Sequence, residues 1–202
     1  PVSAALYQQL LELNFRRSGE QVYTPHCPAC RACESVRINP VAFNASRSQR
    51  RLLNKAQRNG WQYKLCTDAS THYYPLFAAY ICHKHADGSM YPPEQAQLDS
   101  MLNCSWLKVR YLEQYYQQQL VAVTIVDETP DAYSAVYTFF HPDVGTLSPG
   151  ILAVLYLLQC AGRDQKSWVY LGYQINSCQK MAYKAAFLPQ QRFIQGQWHS
   201  FG

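Results

Sequence analysis

The sequence predicts an α+β fold, and three features of its 202 residues carry that prediction. Successive runs at 109–116, 120–126 and 133–140 are rich in Val, Ile, Tyr and Phe, the composition of half-buried strands. Gln117-Gln118 and Thr129-Pro130-Asp131 separate them, so they read as an antiparallel meander. A helix over 149–163, a strand over 168–172 and a helix over 176–186 follow. Before the meander, short strand-like stretches surround a cysteine-rich turn that leads into a basic helix. A mixed, mostly antiparallel sheet with helices is therefore expected.

In order, residues 4–13 place Leu6, Leu10, Leu11 and Leu13 at helical spacing. Arg16-Arg17-Ser18-Gly19 suggests a turn into a strand that ends before Pro25. Residues 34–43 alternate through Val36, Ile38 and Val41 as a second strand, and 61–66 reads as a third. A helix is expected over 72–84, a break at 86–89, and another helix after Pro92-Pro93. The length allows one large or two small domains with a real core. Net charge is +5, a mild basic excess rather than a histone-like one. No apolar run reaches the roughly 20 residues that span a bilayer, and no internal repeat or low-complexity segment is present. The chain opens at Pro1 without a methionine, so further residues are expected upstream.

The positive charge is local. Between Ser35 and Thr67 there are seven Lys or Arg residues and no Asp or Glu. Ser46 followed by Gln49 forms a capping box for a helix over 47–58, and Asn59-Gly60 closes it. At about 100° per residue, Arg47, Arg51, Lys55 and Arg58 share one stripe with Arg50 beside it. Leu52, Leu53 and Ala56 fall opposite. One face packs on a core, and the other presents cations that repel one another unless a polyanion gathers on them.

His26, Cys27, Cys30 and Cys33 place four soft or borderline ligands within eight residues, and Cys-x-x-Cys is a half-site for zinc or an iron–sulfur cluster. Cys27, Cys30 and Cys33 are the candidate metal ligands; the other reading is a tight turn that packs its small thiols. Cys66, Cys82, Cys104, Cys160 and Cys178 lack such spacing. Eight cysteines without a signal-like start suit a reducing compartment.

Five strings occur in a fixed order: Phe15-Arg16-Arg17-Ser18-Gly19; His26-Cys27-Pro28-x-Cys30-Arg31-x-Cys33; Ser46-x-Ser48-Gln49-Arg50-Arg51; Ser134-Ala135-Val136-Tyr137-Thr138-Phe139; and Tyr170-Leu171-Gly172-Tyr173 followed by Cys178-x-Lys180-Met181-x-Tyr183-Lys184. Together they resemble the aminoacyl-tRNA–protein transferases of bacterial leucyl and eukaryotic arginyl type, over about residues 5–190. The strand and helix order of the C-terminal part is similar to the core of acyl-CoA N-acyltransferases, an analogy of fold alone.

The resemblance implies a cysteine-bearing N-terminal domain (1–68) and an acyltransferase-like C-terminal domain (69–202). It implies a cytoplasmic enzyme that moves leucine from leucyl-tRNA onto the α-amine of proteins beginning with Asp or Glu, marking them for degradation through the N-degron pathway. Family members carry a further cysteine-containing stretch before the position where this chain starts. Three other readings stay open: arginine as the donor, an acetyl-CoA-dependent N-acetyltransferase, and a non-catalytic zinc or RNA-binding module. The acetyl-CoA signature Gln/Arg-x-x-Gly-x-Gly/Ala is missing before the helix at Pro149.

An aminoacyl ester is already activated, so aminolysis needs no cofactor. It needs a neutral amine, alignment of two large substrates, and donors for the tetrahedral oxyanion. Under this reading Tyr173, Lys180 and Tyr183 are catalytic candidates, and Tyr137 reads more as a core tyrosine. An acidic N-terminal residue must be read by fixed cations; Arg37 and Lys184 are the substrate-binding candidates, with Arg31 as a further one. Arg47, Arg50, Arg51, Lys55 and Arg58 are the candidate tRNA contacts, through phosphate pairing.

Overall fold

In the computed structural model, which describes residues 2–28, 30–179 and 181–202, the meander is the rigid centre. β5 (Lys108–Tyr116), β6 (Gln119–Glu128) and β7 (Ala132–Phe140) pair antiparallel. Gln117 and Gln118, at φ 50° and 66°, form the two-residue turn between β5 and β6; both are left-handed, as a tight hairpin with right-handed strand twist demands. β4 (Gln62–Cys66) extends the sheet on one side of β5.

On the other side β8 (Trp168–Gln174) runs parallel to β7, joined to it through α5 (Pro149–Arg163). β3 (Glu34–Ile38), β9 (Gln190–Ile194) and β10 (Gln197–Phe201) complete an eight-stranded sheet of order β10-β9-β3-β8-β7-β6-β5-β4. Every pairing except β7–β8 is antiparallel. The α+β class and the mixed, mostly antiparallel sheet are as the sequence predicts. The expected division at residues 68 and 69 falls between β4 and α3 (Tyr73–Lys84), and the sheet runs across it, because β3 lies between β8 and β9.

Period-two alternation divides the core between the two faces of the sheet. Val123 and Ile125 of β6 pack with Phe77 and Ile81 of α3 and with Leu98 of α4 (Gln95–Leu102). Val126 packs on the other face with α5, which buries ten of its fifteen residues, and Val121, the extra residue where β6 shifts register against β5, joins it there. Leu52 and Leu53 of α2 (Arg47–Arg58) join that second cluster. α1 (Ala4–Glu12) buries Tyr7 and Leu11 against Leu107 and Tyr170, and β1 (Arg16–Ser18) pairs with β2 (Gln21–Tyr23) through the turn at Gly19.

Two expectations differ from the structure, and one element lies outside them. The strand expected over 34–43 ends at Ile38, because Asn39 Oδ1 accepts the amides of Val41 and Ala42 and turns the chain. The helix expected over 176–186 is only a 3-10 helix, Ala182–Ala186. That short turn is held by tertiary contacts: the Gln190 amide donates to the carbonyls of Lys184 and Phe187. The β9–β10 hairpin was not expected at all.

Candidate functional site

β7 and β8 pair at Ala132–Trp168, Tyr133–Val169 and Ser134–Tyr170 and then part. Two irregularities sit beside this fork. β7 carries an extra residue at Val136 against β6, and β8 carries an extra residue at Leu171-Gly172 against β3. Gly172 lies at φ +76°, where a side chain would be strained. Such bulges bend a strand and re-aim its side chains. The fork opens a cleft of about 740 Å³.

Residues 135–138 line one wall and residues 171–173 the other, with the start of α5 at Ser148, Pro149 and Gly150. Tyr183 and Lys184 come from the 3-10 segment, Tyr80 and Lys84 from α3, and Arg16 and Arg17 from β1. Among the described lining residues there are four Lys or Arg and no Asp or Glu. The wall chemistry favours an anion.

Lys184 is buried and donates from Nζ to the Tyr173 carbonyl at 2.5 Å. Burial, then the charge of Arg16, lowers its ammonium to about 8. Tyr173 lines the same cleft, and its hydroxyl donates to the Asn14 carbonyl at 2.7 Å. Burial pushes that phenol up to about 12. Tyr183 is 40 % exposed at the cleft, its ring edge-on to Phe187. The Tyr137 hydroxyl is buried in the cleft wall without a hydrogen-bond partner among the described residues. Lys180 lies outside the described residues.

Arg37 is elsewhere. Its guanidinium lies between Trp168 and Trp198, 4.0 Å from each ring centroid, and its donors go to Gln191 and the Tyr170 hydroxyl. It does not line the cleft. Arg31 is exposed and is also not among the lining residues.

Arg47, Arg50, Arg51, Lys55 and Arg58 are all exposed on α2, which is capped by Ser46 and Gln49 as expected. None of the five forms an ion pair among the described residues. Gln49 also donates to the Ala186 carbonyl, tying this helix to the segment that carries Lys184.

Cys27 and Cys30 are exposed, and Cys33 is half-buried. Among the described residues no group of three or more His, Cys, Asp or Glu is arranged to hold a metal ion. The zinc or iron–sulfur reading of the cysteine turn therefore has no support from the described residues.

Sequence reasoning missed Arg16, which it quoted only as part of a motif. The available signal was two consecutive arginines in an extended stretch, where neighbours point to opposite faces.

The chain matches known proteins along nearly its whole length. Residues 72–194 match the family described as arginine-tRNA-protein transferase, C terminus, and residues 1–51 match the corresponding N terminus. The aspartate/glutamate leucyltransferase of Aeromonas hydrophila is 44% identical over 197 residues, covering 98% of this chain and 82% of that protein. The aspartate/glutamate leucyltransferase of Pseudoalteromonas atlantica is 43% identical over 192 residues, with 95% and 82% covered. Among solved structures, the C-terminal domain of a putative lysylphosphatidylglycerol synthetase from Agrobacterium fabrum superposes with a TM-score of 0.61 at 12% identity, covering 85% of this chain and 58% of that one. That likeness carries the acyltransferase-like fold and nothing more. With both parts of the chain matched and identity above 40% along nearly its whole length, the chain belongs to the arginine-tRNA-protein transferase family of aminoacyltransferases.

Proposed function

We propose that this enzyme moves leucine from leucyl-tRNA to the α-amine of proteins whose first residue is Asp or Glu. The observation that carries the reading is the cleft at the fork of β7 and β8, with Arg16, Arg17, Lys84 and Lys184 on its walls and no carboxylate among the described lining residues. Leucine is favoured over arginine as donor by the names of relatives more than 40% identical. Transfer of this kind places the enzyme where charged tRNA is made, in the cytoplasm, and marks its products for degradation by an N-terminal signal. No helix of the described residues is long and apolar enough to cross a membrane.

The amine nitrogen attacks the ester carbonyl carbon of leucyl-tRNA, the new C–N bond forms, and the ester C–O bond breaks. The ribose hydroxyl leaves, and the amine loses a proton. A free α-amine titrates near a pKa of about 8, so a weak base in reach suffices. Lys184, lowered to about 8 and set beside Tyr173, meets that need in its neutral form. The Tyr137 hydroxyl is a donor without a present acceptor and suits the oxyanion; Tyr183 at the cleft edge suits the ester or amine. Lys180 stays a catalytic candidate on the strength of its motif alone.

The exposed cations Arg47, Arg50, Arg51, Lys55 and Arg58 hold the tRNA backbone, and the Gln49–Ala186 contact keeps that helix in register with the cleft. The two parts of the chain then divide the work, residues 1–68 contributing tRNA contacts and residues 69–202 most of the chemistry.

The test is transfer of radiolabelled leucine, against arginine, from charged tRNA onto peptides that begin with Asp, Glu, Lys or Ala. Leucine on the Asp and Glu peptides alone is expected. Transfer from neither tRNA by folded protein would overturn the reading.

A further inference from the structure

Arg16 and Arg17 are neighbours in β1, so their side chains leave the strand in opposite directions. Arg17 is saturated. Its Nε and Nη2 both lie 2.8 Å from Asp127 Oδ1, and its remaining donors reach the carbonyls of Gly19, Met101 and Asn103. Arg16 is equally buried, at 5% exposure, and half empty. Nη1 donates to the carbonyls of Phe15 at 2.6 Å and Leu11 at 3.5 Å, whereas Nε and Nη2 have no partner among the described residues. The guanidinium is flanked by the Tyr170 and Tyr173 rings, with centroids 5.1 and 5.3 Å away, and it lines the cleft.

A buried charge with unsatisfied donors is costly, and native folds keep few of them. The two empty nitrogens are not scattered: Nε and Nη2 share one edge of the guanidinium. Two parallel N–H groups on that edge match the two oxygens of a carboxylate. Arg17 turns the same edge toward the carboxylate of Asp127. Among the described residues no Asp or Glu lines the cleft, so the matching carboxylate arrives from outside.

We propose that the Nε–Nη2 edge of Arg16 receives the side-chain carboxylate of the acceptor protein's N-terminal Asp or Glu. The proposal rests on the transferase reading above and names the group that reads the acceptor. Arg16 touches the substrate in this account, and Arg37, between its two indoles, holds the sheet together. A carboxylate bound at Arg16 sets the acceptor's α-amine a few bonds away in the same cleft as Lys184 and the Tyr137 hydroxyl. Aspartate and glutamate differ by one methylene, which a cleft of about 740 Å³ tolerates. Asparagine and glutamine keep one accepting oxygen but set an NH2 donor where the second carboxylate oxygen would be, against a guanidinium that has only donors, and are disfavoured. A tRNA phosphate is the other anion available. It is disfavoured because the guanidinium is flanked by tyrosine rings in the cleft wall, while α2 offers five exposed cations to a phosphate backbone.

The test compares kcat/KM for peptides that begin with Asp and with Asn, together with the KM for leucyl-tRNA, in the full chain and in Arg16→Met and Arg16→Lys. Arg16→Met is expected to lower kcat/KM on the Asp peptide by on the order of 10²-fold or more. The Asp-to-Asn ratio should fall toward one while the KM for leucyl-tRNA stays unchanged. Arg16→Lys keeps the charge without the fork and should fall between; it carries the test if thermal unfolding shows that Arg16→Met does not fold. A preserved Asp-to-Asn ratio, with both peptides losing equally or with a raised KM for leucyl-tRNA, overturns the proposal and marks a structural or phosphate-binding arginine. Calorimetric binding of the two peptides without tRNA separates the two layers. Arg16-dependent preference for the Asp peptide in a protein that transfers no leucine would sink the transferase reading alone. Leucine transfer with peptide preference independent of Arg16 would sink this proposal alone.

Discussion

Helix α2 carries five exposed cations in a row, whereas the cleft holds Arg16 and Lys184 almost wholly out of water. On the helix each charge is solvated, screened within about 10 Å at ordinary salt, and costs the fold little. In the cleft the same kind of charge is desolvated. Burial pulls both Arg16 and Lys184 below their ordinary pKa values. The helix can attract any polyanion at long range, and the cleft can hold only an anion that fits. In the proposed reading the helix would give rate and affinity for a tRNA backbone and the cleft would give selectivity, at a cost to stability that Arg17, paired with Asp127, does not bear.

The sharpest way to break this contrast is to remove charges one at a time and measure urea unfolding. Arg17→Met strips Asp127 of its partner in a site that is 0% exposed, and should destabilise by about 3–5 kcal/mol. Arg16→Met removes a half-bonded charge from comparable burial, and should leave stability within about 1 kcal/mol of the parent or above it. Equal losses at both positions would mean that Arg16 is a structural residue.

Lys184→Met sharpens the comparison through pH. Below about pH 8 Lys184 is charged in folded and unfolded chains alike, and the fold bears the full cost of burying it. Between about 8 and its ordinary value of 10.5 the folded protein holds fewer protons than the unfolded chain, so the parent gains stability as pH rises. The advantage of Lys184→Met, roughly 1–3 kcal/mol before loss of the bond to the Tyr173 carbonyl, should be largest at pH 7 and shrink toward pH 10. An advantage independent of pH would mean that its amine is not held out of water. The smallest effect on the fold is expected on α2. Arg50→Glu with Arg51→Glu should leave stability within about 0.5 kcal/mol yet weaken tRNA binding and flatten its salt dependence by about 0.7–0.9 per lost phosphate contact. An unchanged salt slope would place the tRNA elsewhere.

Local chemistry was legible where it repeats. The β5–β7 meander follows from alternating Val, Ile and Tyr runs, and the α2 cap follows from Ser46 and Gln49, which form both bonds of the box. The β9–β10 hairpin was hidden because Gln190, Gln191, Arg192 and Gln197 dilute the alternation; the signal left was Gln195-Gly196, at φ 51° and 83°, between Phe193 and Trp198. The surroundings of Arg37 are not legible in the sequence, because alternation says which face a side chain takes and not what waits there. Its partner Trp198 is far away in sequence and arrives on that unforeseen hairpin. Tyr173 and Lys184 were legible as cleft residues from the end of the β8 run, and the structure sets them in contact. Arg16 was not, because its defining property is a missing partner, which only the assembled fold reveals.

The most direct measurement is guanidinium NMR of arginine-labelled protein, with Arg16 assigned from Arg16→Lys, during titration with a peptide that begins with Asp. The account predicts that the Arg16 Nε–H resonance moves on binding while that of Arg17, already bonded to Asp127, stays in place, and that an Asn peptide moves neither. Binding of the Asp peptide with Arg16 unmoved would contradict it.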